Sequence, residues 1–182
     1  MSKLWKSVLV LGATVMGLAL SASALAVTSG VGPYYATPSW DQTLPSSTRF
    51  IVLTNMNSQA VLDRETGLVW EQSPSSTLDT WFNQSFHCIN LNTGGRTGWR
   101  LPTIQELLSL VDRSQSDPAL PSGHPFGNVL SADYWSASTV ASGTSFAWTV
   151  LFPTGHVHSG FDKSSDTTLA WCVRGGQGVD AQ

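Results

Sequence analysis

Gly98-Trp99-Arg100-Leu101-Pro102-Thr103-Ile104-Gln105-Glu106-Leu107-Leu108 contains a helix start written in side chains. Pro102 fixes the entry, Thr103 can cap the first turn, and Glu106, three residues on, can return a bond to complete a capping box. Ile104, Leu107, Leu108 and Val111 follow at helical spacing, so a helix begins here with that stripe buried, and Asp117-Pro118 lies beyond its end. Before the Gly94-Gly95 turn, Leu78, Trp81, Phe82, Ser85, Cys88 and Ile89 recur at three- and four-residue steps between Leu78 and Asn92. That periodicity predicts an earlier helix with Cys88 on its inward face.

Strand signals flank these helices. Gln59 to Asp63 and Leu68 to Trp70 read as a hairpin, with Gly67 supplying a positive φ. Tyr134 to Thr139, Phe146 to Phe152, His156 to Phe161 and Leu169 to Arg174 read as further strands; Phe146, Trp148, Val150 and Phe152 share one face at period two. Between helix and strands, Ser114 to Asp133 holds Pro118, Pro121, Gly123, Pro125 and Gly127, the composition of a long ordered loop. Loops of that length often carry function.

The chain has 182 residues, 41% hydrophobic, 12% charged and 10% aromatic, which excludes a mainly disordered chain and fits one medium domain. Lys3 and Lys6 precede an apolar stretch, Val8 to Leu20, and Ala24-Leu25-Ala26 forms a small-residue cleavage site. Residues 1–26 are therefore expected to be a secretory signal peptide. The h-region is short for a membrane helix, so no membrane span is expected in the mature chain. Residues 27–48 form a Ser/Thr/Pro-rich arm carrying Tyr34, Tyr35 and Trp40, 49–175 the domain, and 176–182 a flexible tail.

Export decides how charge and cysteine are read. Without Lys3 and Lys6, the remaining 156 residues carry 7 basic and 12 acidic groups, a formal charge of −5 with no basic run. Such a surface repels nucleic acid and sulfated polysaccharides. Cys88 and Cys172 are the two cysteines, and an oxidising destination makes one long-range disulfide the default. A nucleophilic Cys88 assisted by His87 is disfavoured, because neighbours on a helix or strand do not face each other.

Other chemistry is thin. His156 and His158 alternate near Asp162 and Asp166, a spacing that zinc could use but that a solvent-facing hairpin edge explains as well. Glu65, Glu71, Asp112 and Asp133 show no acid–base pairing, and no nucleophile elbow, P-loop or dinucleotide fingerprint occurs. No cofactor or metal is expected. Arg100 and Glu106 could line a polar pocket, although capping and loop bracing account for both. Among the tryptophans, Trp81, Trp99, Trp148 and Trp171 fall on faces expected to be buried, whereas Trp40, Tyr134 and Trp135, with Asp133 and His124, are candidates for a ligand surface, the alternative for Tyr134 and Trp135 being that they too are core.

The order Asp63, Thr66-Gly67-Leu68, Trp70, then Trp81 and Cys88, then Trp99-Arg100-Leu101-Pro102-Thr103 with Glu106-Leu107, then Tyr134-Trp135-Ser136, Ala147-Trp148 and Cys172-Val173-Arg174 resembles the Lcl C-terminal domain family. The resemblance covers roughly Gln59 to Gly175. More distantly the pattern is similar to the C-type lectin-like fold, which includes the formylglycine-generating enzymes with their similar Arg-Leu-Pro-Thr helix start. It implies an α+β fold: two helices packed on short antiparallel sheets, with one long-range disulfide from the first helix to the last strand. The Glu-Pro-Asn, Gln-Pro-Asp and Trp-Asn-Asp triplets of calcium-dependent lectins are absent, and the only cysteines sit at the structural positions.

These readings point to an exported, periplasmic or extracellular, non-enzymatic recognition module. Its expected partner is a glycan or cell-envelope polymer bound through the Ser114 to Asp133 loop. The alternatives are an enzyme reusing a formylglycine-enzyme-like scaffold and a structural subunit of an envelope assembly.

Overall fold

From the N-terminal side, a two-residue β1 (Ser29–Gly30) precedes a single turn, α1 (Ser46–Arg49), and three strands, β2 (Phe50–Leu53), β3 (Ala60–Asp63) and β4 (Leu68–Glu71). Helix α2 (Trp81–Asn90), the short β5 (Trp99–Arg100) and helix α3 (Ile104–Ser109) follow. The chain ends in β6 (Asp133–Thr139), β7 (Phe146–Leu151), β8 (His156–Asp162) and β9 (Val173–Gly175). The computed structural model describes residues 29–30 and 44–175. The expected signal peptide, most of the arm with Tyr34, Tyr35 and Trp40, and the tail 176–182 lie outside the described residues.

The larger sheet runs β1-β2-β3-β4-β9-β5, with β1 parallel to β2 and every other pair antiparallel. Gly67, at φ 72°, closes the β3–β4 hairpin as its sequence predicts. Strand β2 carries no such signal. All four of its residues are buried, Phe50 and Val52 in one core and Ile51 and Leu53 in another, so no polar position interrupts the run. Strands β6, β7 and β8 form a second antiparallel sheet. The pairing of β7 with β8 shifts register between Ala147 and Thr149, leaving Phe146 exposed and Trp148 half-exposed while Ala147 and Thr149 are buried. That irregularity breaks the expected period-two face.

The larger sheet therefore separates two cores. On one side α3 sets Leu107 and Leu110 against Trp70, Tyr134, Phe152 and Trp171, with Phe126 4.9 Å from Trp171 between ring centroids. On the other side lie Ile51, Leu62, Cys88, Trp99, Trp135 and Cys172. Arg49 crosses between elements as a buried cation, donating to both Asp63 carboxylate oxygens at 2.9 and 2.8 Å and to the Ser109 carbonyl at 2.7 Å. Its charge is thereby paired and hydrogen-bonded, the condition under which a buried ion is tolerated. No helix among the described residues is long and apolar enough to cross a membrane.

A disulfide joins Cys88 on α2 to Cys172 immediately before β9, with Cα atoms 5.5 Å apart. Both residues are fully buried. Beside them the Glu71 carboxylate accepts the Cys172 backbone N–H at 2.9 Å, and burial pushes its pKa up to about 7.

Two outcomes test this region. Replacing Cys88 and Cys172 together by Ala should cost about 2–5 kcal/mol in chemical denaturation, the chain-entropy value for an 84-residue separation being about 4–5 kcal/mol; an unchanged midpoint would contradict the pairing. Because the folded chain holds the Glu71 proton more tightly than the unfolded chain, the associated stability is fully present below about pH 4.5 and is lost as pH rises through about 7. The slope is at most roughly 1.4 kcal/mol per pH unit from this group. Glu71→Gln should flatten denaturation midpoints across that window.

Candidate ligand-binding groove on helix α2

The Trp99 to Glu106 block, the most distinctive stretch of the sequence, turns out to be architectural. Thr103 Oγ1 accepts the Glu106 N–H at 3.2 Å while the Glu106 carboxylate accepts the Thr103 N–H at 2.8 Å, the expected capping box. Arg100 clamps the same carboxylate with two bonds of 2.7 Å. The Pro102 carbonyl accepts from Ala137, and Trp99 and Leu101 are buried. These residues dock α3 onto both sheets. Arg100 and Glu106 satisfy each other rather than a ligand.

Of the four residues expected at a ligand surface, Tyr134, Trp135 and Asp133 are engaged internally. Tyr134 and Trp135 are both 0% exposed, which corrects that expectation. Period-two patterning places them in opposite cores, where the Tyr134 hydroxyl accepts from Leu130 N–H and the Trp135 indole donates to the Asp79 carbonyl. Asp133 accepts from Thr149 at 2.8 Å and lies 3.1 Å from His158 Nδ1. His124 is half-buried near Phe126, and burial pushes its imidazole pKa down. The Ser114 to Asp133 loop is itself stitched down: Ala119, Leu120 and Phe126 are buried, and Gln72 exchanges bonds with Pro125 and Gly127. It belongs to the scaffold.

Helix α2 presents what the loop does not. Successive helical residues are about 100° apart, so its side chains fall into three stripes. Trp81, Gln84, Cys88 and Leu91 face the body, with Gln84 and Cys88 fully buried and Trp81 and Leu91 partly so. Phe82, Phe86 and Ile89 face solvent at 57, 70 and 62% exposure, and Leu78, in the extended segment before the helix, is 59% exposed. Asp79, Asn83, His87 and Asn90 form the third stripe, at the far side of the apolar one.

The apolar spacing of Leu78, Phe82 and Ile89 predicts that they point inward, and the structure contradicts this. Polar and covalent anchors rotate the helix instead. Gln84 donates to the Thr77 and Thr168 carbonyls at 2.7 and 3.0 Å, the Trp81 indole donates to the Ser136 carbonyl at 2.8 Å, and Cys88 is tied to Cys172. Two hydrogen bonds satisfy the Gln84 amide inside, so its inward position carries no penalty of an unpaired polar group.

Along the polar stripe runs an open groove of about 520 Å³ lined by Asp79, Asn83, Phe86, His87, Asn90, Leu91 and Asn92. Bonds from Asn83 at 2.8 Å and from Thr80 N–H at 2.7 Å hold the Asp79 carboxylate below its usual pKa range. The groove thus combines a fixed anion, several amides and an imidazole with one face of an aromatic ring. No Lys or Arg lines it. The sequence signal for it was the spacing Asp79, Asn83, His87, Asn90, masked by the stronger apolar pattern beside it. A smaller depression of about 360 Å³ at the end of α3 is lined by Leu108, Val111, Asp112 and Arg113.

Metal ligation has one candidate cluster among the described residues, Glu71, His87 and Cys172, with ligand atoms within 4.8 Å of one another. The Cys172 sulfur is bonded to Cys88, so it is no thiolate ligand. His156 and His158 are engaged separately, with Thr154 and Asp133.

A comparison with curated proteins finds no match. A family model for the Lcl C-terminal domain matches residues 59–174, a span that runs from the β3–β4 hairpin through α2 and its groove to the closing strand. The chain belongs to the Lcl C-terminal domain family.

Proposed function

We propose that this protein is an exported recognition module that binds a glycan or glycan-bearing envelope polymer, without catalysing a reaction, through the groove on α2. The observation that carries this reading is the groove's composition. Sugar hydroxyls both donate and accept, and the Asp79 carboxylate, the Asn83, Asn90 and Asn92 amides and His87 offer both partners in one row. The exposed Phe86 ring supplies an apolar platform for the C–H face of a sugar. An open groove suits a polymer that passes through it better than a small molecule that must be enclosed.

The lectin-like reading of the architecture belongs to the same proposal. It is supported by the disulfide from α2 to the segment leading into β9.

No basic side chain lines the groove, and four of them are held elsewhere. Arg49 and Arg100 pair with carboxylates, Arg174 donates to the Thr97 carbonyl, and Lys163 donates to Thr139 and the Thr144 carbonyl. The ligand is therefore expected to be uncharged or weakly charged. Heparin retention should be lost at physiological salt; strong retention there would contradict the assignment.

Binding should appear on an array of neutral bacterial envelope glycans. Asn90→Ala and Phe86→Ala should each weaken it about tenfold in calorimetric titration, as expected for one lost hydrogen bond or stacking contact. A blank array together with no capture by envelope fractions would refute the reading.

A further inference from the structure

Behind the groove, Glu71 is a buried acid that packing alone does not account for. It is 5% exposed, it accepts the Cys172 N–H, and no Lys or Arg pairs with it among the described residues. Keeping such a group inside carries a desolvation cost that a cation would offset. Glu71, His87 and Cys172 bring a carboxylate oxygen, an imidazole nitrogen and a sulfur within 4.8 Å of one another, and the Cys172 sulfur is bonded to that of Cys88. Two sulfurs, a nitrogen and an oxygen therefore converge from β4, α2 and the segment before β9. We propose that, in the chain whose cysteines are still thiols, Cys88, Cys172, His87 and Glu71 bind one zinc-type divalent cation, and that disulfide formation later replaces this crosslink with the sulfur bridge.

The donor set selects the metal. Two thiolates, an imidazole and a carboxylate suit Zn²⁺, which takes four such ligands tetrahedrally, whereas Mg²⁺ and Ca²⁺ want oxygen throughout. At metal–ligand distances of about 2.0–2.3 Å the edges of that tetrahedron are about 3.3–3.8 Å. Donors already within 4.8 Å close to that spacing by about 1–1.5 Å, a movement of side chains. The backbone around them is held independently of the sulfur bond. Glu71 N–H donates to the Cys172 carbonyl at 3.2 Å, and the Glu71 carbonyl accepts the Trp171 indole at 2.9 Å. His87 and Cys88, as helix neighbours, do not face each other, but the sulfur that His87 approaches is that of Cys172, which comes from another element.

The chemistry balances without a further group. Metal entry removes one proton from each thiol, so two protons leave as two sulfur–metal bonds form. On oxidation the two thiolates give two electrons to a disulfide oxidant, whose sulfurs take them with two protons and leave as thiols. The Cys88–Cys172 bond forms, the cation departs, and Glu71 is left buried beside it.

The metal alone is the probe. The purified chain is reduced under nitrogen by a phosphine, which becomes a phosphine oxide with the oxygen of one water as the two thiols form, and after removal of excess reagent it is titrated with Co²⁺. One equivalent should produce the visible bands of tetrahedral cobalt and a thiolate-to-metal band in the near ultraviolet, and Zn²⁺ should abolish both. The oxidised chain should show neither. His87→Ala and Glu71→Gln, each verified as folded in the oxidised form by circular dichroism, should each weaken Co²⁺ binding at least about tenfold. His156→Ala, at an imidazole bonded to Thr154 elsewhere, should leave it unchanged. A reduced chain that binds no Co²⁺, or an affinity that is the same in wild type and both ligand variants, overturns the proposal. No glycan enters the assay, so its outcome is independent of the proposed function.

Discussion

The bond between Cys88 and Cys172 decides which way α2 faces, and most of what the protein can do follows from that orientation. A ten-residue helix has little stability of its own in water and takes its direction from what it docks against. Here the docking is covalent at one turn and polar at the others, through Gln84 and the Trp81 indole. The sulfur bridge also reaches Cys172, whose N–H is held by the buried Glu71 carboxylate and whose neighbour Trp171 is the hub of the aromatic core. One crosslink thus sets the helix, the closing strand and both cores relative to one another.

Much of this was legible where a local rule is strong. The Thr103–Glu106 capping box and the Gly67 turn depend on a few adjacent residues, and each formed as read. The cysteine pairing was also legible, because two cysteines leave one intramolecular option. Long-range competition was not legible. Apolar periodicity identifies side chains that could be buried, but Gln84 entered the interior because its amide meets two carbonyls there, those of Thr77 and Thr168. Strand β2 was hidden for the opposite reason: burial on both faces removes the alternation by which a strand is recognised.

The candidate site shows the same limit. Tyr134 and Trp135 look free in sequence because neither belongs to a clear apolar run, yet the strand divides them between the two cores. Phe82 and Ile89 face solvent on α2 although their spacing predicts an inward face. Taken together, these exchanges move the proposed recognition surface from the proline-rich loop, which is pinned to Gln72, to the helix that the disulfide anchors. A rigid helix holds a row of amides more accurately than a loop would.

The orientation of α2 is open to direct measurement by hydroxyl-radical footprinting of the dilute protein, with oxidation rates read residue by residue in a mass spectrometer. The account requires fast oxidation at Phe82 and Phe86 and strong protection of Trp135 and Trp171, although an indole is inherently at least as reactive as a phenyl ring. Protected Phe82 and Phe86 alongside rapidly oxidised Trp135 would show that the helix is turned the other way, and neither the groove nor the exposed stripe would survive.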